Sequence, residues 1–306
     1  MKVLVTGGTG FVGREIIREL HGAGHGLRLL VRHEQSPAAR ELAARYGPEL
    51  CEGSVLDAPL LHRILPGADA VIHLVGIISE VGGQNFENIH TRATRNLVVA
   101  AHATGVRRFL HMSALGTRPN AASRYHQTKW AAEQAVSQSR LDWTIFRPSL
   151  IYGPRDQFVN LFARMARFSP VLPVMGDGQA AFQPVAVEAV ARCFARALNE
   201  PRAIRETFDV CGPDKLTLPE ILEAILAATG RKKPIVRVPM PLAKALASCL
   251  EFVYPTLLKK APPLNRDQLL MLQESNVGKT EWTAELFGLR PVSFAEGIAG
   301  YLKRET

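Results

Sequence analysis

A strand-length apolar run, Lys2–Thr6, passes into a helical pattern carried by Ile16, Ile17 and Leu20 through a loop with glycines at positions 7, 10 and 13. This stretch, VLVTGGTGFVGREII (3–17), restricts the fold more than any other part of the chain. Glycine is demanded where backbone turns tightly, where it must approach a bulky anion, and where a helix packs closely on a strand. The helix opening beyond the loop presents unpaired N–H groups and a partial positive charge, which together suit a pyrophosphate. Gly7, Thr9, Gly10, Phe11, Val12 and Gly13 are therefore the candidate phosphate cradle.

The rhythm set by that unit continues. Apolar runs recur at Leu27–Val31, Glu49–Gly53, Ala70–Val75, Arg107–Ser113 and Asp142–Phe146, with room between them for helices such as Asn88–Thr104. Near-continuous apolarity implies strands covered on both faces, and strand–helix alternation implies a doubly wound parallel sheet with right-handed crossovers. Past Arg147 the rhythm loosens and prolines become frequent. Helices are expected at Asp156–Phe168 and Val187–Leu198, and capping boxes at Thr217…Glu220 and Ser293…Glu296 open two more. Glu206–Cys211 reads as a strand returning to the main sheet. The expectation is an α/β protein with a Rossmann-type NAD(P)-binding domain over 1–150, the returning strand near 206–211, and a smaller, mostly helical substrate or partner domain over 151–306.

Composition narrows the class. A chain of 306 residues, 47% hydrophobic and 21% charged, can bury a sizeable core. No run approaches the ~18 apolar residues of a membrane-spanning helix. Met1-Lys2 leads straight into a strand, so no signal peptide is expected. Cys51, Cys193, Cys211 and Cys249 lie far apart without metal-site spacing, so they are expected to be reduced and structural, with no metal centre. A cytoplasmic protein is expected. The net charge of +9 fits simple solubility, a phosphate-bearing cofactor or an anionic membrane surface. The basic residues are scattered in short clusters (Arg107-Arg108, Arg231-Lys232-Lys233, Lys259-Lys260) and accompany no recognition motif, so nucleic acid is not an expected partner.

The end of the second strand bears on the choice of dinucleotide. A carboxylate there would bind the ribose 2′-hydroxyl of NAD, whereas an arginine accommodates the 2′-phosphate of NADP. The sequence LRLLVRHEQ (27–35) places Arg32 and His33 at that point, and arginine offers planar, multi-donor recognition of a phosphate. NADP(H) is expected over NAD(H), with Glu34 one step further on as the residue that would support NAD.

Tyr125 and Lys129 stand four positions apart in SRYHQTKWAAEQA (123–135), on one face of a helix. A redox reaction between a nicotinamide and a carbonyl or alcohol needs a proton donor or acceptor at the oxygen, a role a tyrosine can fill. A free phenol has a pKa of about 10, and a nearby ammonium would lower it. Ser113, at the end of a strand about a dozen residues upstream, would hold the substrate oxygen beside the phenol. Taken alone, the spacing favours an ordinary buried tyrosine and a solvated lysine, since many helices contain it by chance.

Taken with the glycine loop, these residues resemble the short-chain dehydrogenase/reductase superfamily in its extended or atypical form, over nearly the whole length. GSVLD (53–57) is similar to the loop that packs on the adenine, with Val55 in contact and Ser54 in place of the usual aspartate. VIHLVG (71–76) looks like the strand beneath the cofactor and contributes Leu74, Val75 and Gly76. HMSALG (111–116) looks like the strand carrying the active-site serine. FRPSLIYGPRD (146–156), with Pro148, is similar to the segment lining the nicotinamide and substrate pocket, and FQPVAVEAVA (182–191) to its counterpart in the substrate domain. The resemblance implies Ser113, Tyr125 and Lys129 as catalytic residues, with Lys129 also on the cofactor ribose. The fourth polar group that often completes such a relay has no assignable position.

SRYHQTK (123–129), IYGPRDQFVNLFARM (151–165) and PPLNRDQLLMLQESNV (262–277) resemble one branch, that of the accessory Rossmann-fold subunit of complex I and its bacterial relatives. Members of that branch often hold cofactor or assist assembly near the quinone system. Three functions are thus expected in competition. One is an oxidoreductase acting on a carbonyl, alcohol or quinone-like small molecule. Another is a non-catalytic NADP(H)-holding assembly or quinone-biosynthesis factor of the respiratory chain, and the third is a nucleotide-sugar epimerase or dehydratase. Peripheral association with respiratory-chain proteins or the inner face of a membrane accompanies the second. In PMPLAKALASCLEFVYPTLLKKAP (239–262), Leu242, Leu246, Leu250, Val253 and Leu257 recur at helical spacing, with Lys244, Lys259 and Lys260 available to lipid headgroups. The same pattern also fits a core helix of the smaller domain.

Overall fold

The apolar runs of the first half become strands in the computed structural model, which describes residues 1–302. They are β1 (Lys2–Thr6), β2 (Gly26–Val31), β3 (Glu49–Glu52), β4 (Ala70–His73), β5 (Arg108–Met112) and β6 (Asp142–Pro148). Between them lie α1 (Phe11–Gly22), α2 (Pro37–Tyr46), α3 (Ala58–Ile64), α4 (Ala93–Ala103, preceded by a π-helical turn, Glu87–Arg92) and α5 (Arg124–Ser137). The second half holds the short strands β7 (Ile151–Tyr152), β8 (Leu172–Met175), β9 (Ala181–Phe182) and β10 (Val185–Ala186), the returning strand β11 (Glu206–Val210), then β12 (Leu216–Thr217) and β13 (Ile235–Val238). Its helices are α6 (Val159–Phe168), α7 (Val187–Ala197), α8 (Leu218–Ala228), α9 (Met240–Val253), α10 (Arg266–Met271), α11 (Glu281–Leu286) and α12 (Phe294–Leu302).

The central sheet is parallel throughout, in the order β11-β6-β5-β4-β1-β2-β3. Its order reverses between β1 and β4, which opens a crevice at their carboxyl ends. Both faces are apolar. Val3, Val5 and Leu29 pack with Ile16, Ile17 and Leu20 on one side. Leu4, Leu30 and Val71 pack with Leu61, Leu97 and Phe109 on the other. Each such side chain contributes roughly 1.5–3 kcal/mol by leaving water. The first layer also takes Val187, Val190 and Phe194 of α7, Phe208 of β11 and Phe287 beyond α11. The rings of Phe146, Phe194, Phe208 and Phe287 meet with centroids 4.6–5.7 Å apart.

A separate core gathers Val159, Leu172, Leu218, Ile221, Ile225, Phe294 and Ile298. The two expected capping boxes open its helices: Glu220 accepts from the Thr217 N–H, and Glu296 from the Ser293 N–H. α6 starts later than expected, at Val159 instead of Asp156. The reason is that the Asp156 carboxylate caps it, accepting from the Val159 N–H at 2.6 Å and the Asn160 N–H at 3.4 Å.

Candidate active site

At the first turn, Gly7 takes a φ of +79° and lies so close to β4 that a Cβ there would sit 3.1 Å from Leu74 C and Val75 N. A Cβ on Gly13 would overlap the Gly7 carbonyl and lie 2.7 Å from Gly8 Cα. Gly10 donates its N–H to Gly7 O at 3.1 Å and caps α1 without a side chain. No acidic residue occupies the first turn, and the N–H groups of Phe11, Val12 and Gly13 have no partner among the described residues. This cradle fits a phosphate. Arg14 ties Thr9 to α2, donating to Thr9 O at 3.2 Å and to Glu41 at 2.6 Å.

Arg32 and His33 are exposed where β2 ends, and the Arg32 guanidinium makes no ion pair among the described residues. The Glu34 N–H donates to the Glu52 carboxylate at 2.9 Å, which brings two acids to the same corner. Val55 is buried beside this corner, and Leu74 is buried at the end of β4. Val75 is half-buried and Gly76 exposed.

A line of contacts joins the cradle to α5. Gly7 rests on Leu74 and Val75, and a Cβ on Gly76 would lie 3.0 Å from Lys129 Nζ and 3.7 Å from His90 Nε2. Lys129 Nζ donates to Met112 O at 3.0 Å. The next residue, Ser113, donates its N–H to Phe146 O at 2.8 Å, and its hydroxyl reaches Thr117 Oγ1 at 3.4 Å. Leu115 N–H donates to Pro148 O at 2.9 Å. Ser123 caps α5 by accepting the His126 N–H, also bonding His126 Nδ1 at 3.1 Å. Tyr125 is enclosed edge-on by Phe86, His90 and His126, with ring centroids 5.2–6.0 Å away, and its hydroxyl makes no hydrogen bond among the described residues.

The electrostatics depart from the expectation that Lys129 lowers the phenol. Burial pushes Tyr125 up to about 12. Burial also pulls Lys129 down to about 8, against the opposing charge of Glu133. The ammonium is spent on the Met112 carbonyl, so desolvation decides the phenol. At neutral pH Tyr125 carries its proton, which suits a donor.

Three further histidines here were not singled out from the sequence. His90 Nδ1 meets Thr128 Oγ1 at 2.9 Å, and its Nε2 meets the Ile77 backbone at 3.0–3.1 Å. His73 bridges Thr6 Oγ1 (2.7 Å) and Thr94 Oγ1 (3.0 Å). His111 stacks on His73 at 5.5 Å, and neither of its ring nitrogens has a partner among the described residues. Burial holds His73 at about 3 and His90 at about 2, and keeps His111 well below its ordinary value. Thr6, His73 and His111 form one row across β1, β4 and β5. A polar residue at or next to the end of the otherwise apolar strands β1, β4 and β5 was the available signal. The late segment braces the same loops. Asn265 Nδ2 donates to Ile78 O (2.9 Å), Asp267 accepts the Arg124 N–H (2.7 Å), and Asn276 Nδ2 donates to Leu115 O (2.9 Å).

Comparison with known proteins accords with this geometry. The family model described as NAD dependent epimerase/dehydratase family matches residues 3–211. Subunit 9 of the alpha subcomplex of mitochondrial NADH dehydrogenase (ubiquinone) from Arabidopsis thaliana is 30% identical over 282 residues, covering 90% of this chain and 69% of that protein. Ceramide reductase of Caulobacter vibrioides is 33% identical over 241 residues, covering 78% and 74%. The solved UDP-glucuronic acid 4-epimerase of Bacillus cereus, in complex with UDP-glucuronic acid and NAD, superposes with a TM-score of 0.76 over 100% of both chains. At 18% identity that is a likeness of fold alone. The resemblance to extended dehydrogenase/reductases, and to the complex I accessory branch, is thus borne out. With the glycine cradle built as such a fold requires, the chain belongs to the NAD dependent epimerase/dehydratase family.

Proposed function

We propose that the protein is an NADP(H)-dependent oxidoreductase that acts on a carbonyl, alcohol or quinone-like group, with Tyr125 as proton donor. The observation that carries this reading is the line of contacts from Gly7 through Leu74, Val75 and Gly76 to Lys129, with a protonated, unbonded phenol one helical turn away. The coenzyme would be held by the Gly7–Gly13 cradle, by Val55 and Leu74 to Gly76 along its length, by Arg32 and His33 at the 2′-phosphate, and by Lys129 and Pro148 near the ribose and nicotinamide. When bound, it supplies the redox equivalent. Tyr125 delivers a proton to the substrate oxygen, Ser113 orients that oxygen once its weak bond to Thr117 yields, and Lys129 holds positive charge beside the ribose.

Tyr125→Phe should cut NADPH oxidation with short-chain quinone or ketone acceptors about 100-fold or more, leaving NADPH binding by calorimetry intact. Parent-level turnover in the variant would exclude Tyr125 as the donor. Arg32→Ala should weaken NADPH binding roughly ten-fold and leave NADH unchanged. The similarity to a respiratory-chain subunit over 90% of the chain favours a second reading, a cofactor-holding protein without turnover. That reading gains if NADPH binds tightly and no acceptor oxidises it.

A further inference from the structure

Helix α9 turns Ala243 and Ala247 inward and leaves Leu242, Leu246 and Phe252 outward. Ala243 and Ala247 are fully buried, against Leu269 of α10 and the partly buried Met175, Val238, Met240 and Leu264. Leu242 is 61% exposed, Leu246 44% and Phe252 72%; in the turn that follows, Leu257 is 75% and Leu258 52% exposed. At about 100° per residue, Leu242, Leu246, Cys249 and Val253 share one stripe with Phe252 at its border, well apart from the Ala243–Ala247 stripe. A core helix would cover these residues, whereas here Leu242, Leu246, Cys249 and Phe252 are exposed and Val253 is half-buried. Such a continuous apolar face marks a docking surface.

Charge favours one occupant. Glu251, the only acid between Met240 and Lys260, is held by Arg266 at 2.6 Å. Lys259 and Lys260 follow the apolar turn directly and are exposed, and the chain carries +9 overall. Lys244 falls on the opposite side of the helix by the same spacing and stays out of the contact. Among the described residues no helix is long and apolar enough to cross a membrane. α9 has a length of about 21 Å over its 14 residues, short of the ~30 Å hydrocarbon core of a bilayer.

We propose that α9 and the turn to Leu258 dock in the plane of an anionic lipid bilayer. Leu242, Leu246, Phe252, Leu257 and Leu258 enter the acyl boundary, and Lys259 and Lys260 remain among the headgroups. The proposal does not depend on the coenzyme assignment.

Flotation of the full chain with phosphatidylcholine vesicles, with and without phosphatidylglycerol, tests it. Retention on the anionic vesicles at low salt is expected, with weaker retention on neutral ones and at about 0.5 M salt. Phe252→Glu with Leu257→Glu should abolish retention while circular dichroism and thermal melting stay at parent values. Lys259→Ala and Lys260→Ala should each weaken it roughly five-fold. Absence of retention on anionic vesicles at low salt would overturn the proposal, as would retention that survives the double glutamate variant. A dimer in light scattering that this variant dissolves would assign the face to a second copy instead, with the same consequence.

Discussion

At the scale of single residues, Lys129 sets stability against use. It is 2% exposed, and its one hydrogen bond among the described residues goes to the Met112 carbonyl at 3.0 Å. Burial lowers its pKa from 10.5 to about 8, so the fold binds this proton less tightly than the unfolded chain does. Stability therefore rises between about pH 8 and 10.5, and below that window the buried charge is a standing penalty of roughly 3 kcal/mol at 1.4 kcal/mol per unit. Lys129→Met keeps most of the volume and removes the charge. Less the lost hydrogen bond, it should raise the unfolding free energy at pH 7 by about 2 kcal/mol in urea melts and abolish turnover. A fall in stability would mean that partners offset the charge. The four-residue spacing of Tyr125 and Lys129 was legible in the sequence. The upward shift of the phenol was not, because the rings that bury it, Phe86 and His90, come from a distant segment.

Among the elements, α1 holds two glycines with opposite expectations. At Gly13 an added Cβ would meet the backbone of Gly7 and Gly8, which cannot yield without opening the loop. Gly13→Ala should lose about 3 kcal/mol and the phosphate cradle with it. At Gly22, in the last turn of the helix, an added Cβ meets nothing within 4 Å. Gly22→Ala should gain about 0.5–1 kcal/mol by restricting the unfolded chain. Thermal melts of the pair check both signs, and equal effects would mean that the loop is not tightly packed. The glycine spacing made the loop readable, since few other arrangements require it. The environment of α9 was not readable: apolar residues at helical spacing show that a helix is two-sided but not which side is covered. In the fold, alanines take the inner stripe.

For the molecule as a whole, local patterns gave the order of strands and helices, but contacts remote in sequence assembled the polar layer. The joining of α7 and Phe287 to the sheet's core has no local signature, and neither does the meeting of His73, His90 and His111. All three histidines are held neutral by burial, with the Lys129 charge adding to the effect. Their depressed pKa values contribute stability that is complete above 6.5 and is lost as pH falls, because the unfolded chain takes up protons the three native rings refuse. Three such groups give a limiting slope of roughly 4 kcal/mol per pH unit. Between pH 7.5 and 5.5 the unfolding free energy should fall by about 4 kcal/mol, a large share of an ordinary domain's stability. His111→Leu, which also removes two ring nitrogens without partners among the described residues, should reduce that loss by about a third. Urea melts of both proteins at the two pH values supply the comparison. If the parent's stability is flat across this range, the three native rings accept protons after all and cannot be the sealed neutral layer beneath the candidate site.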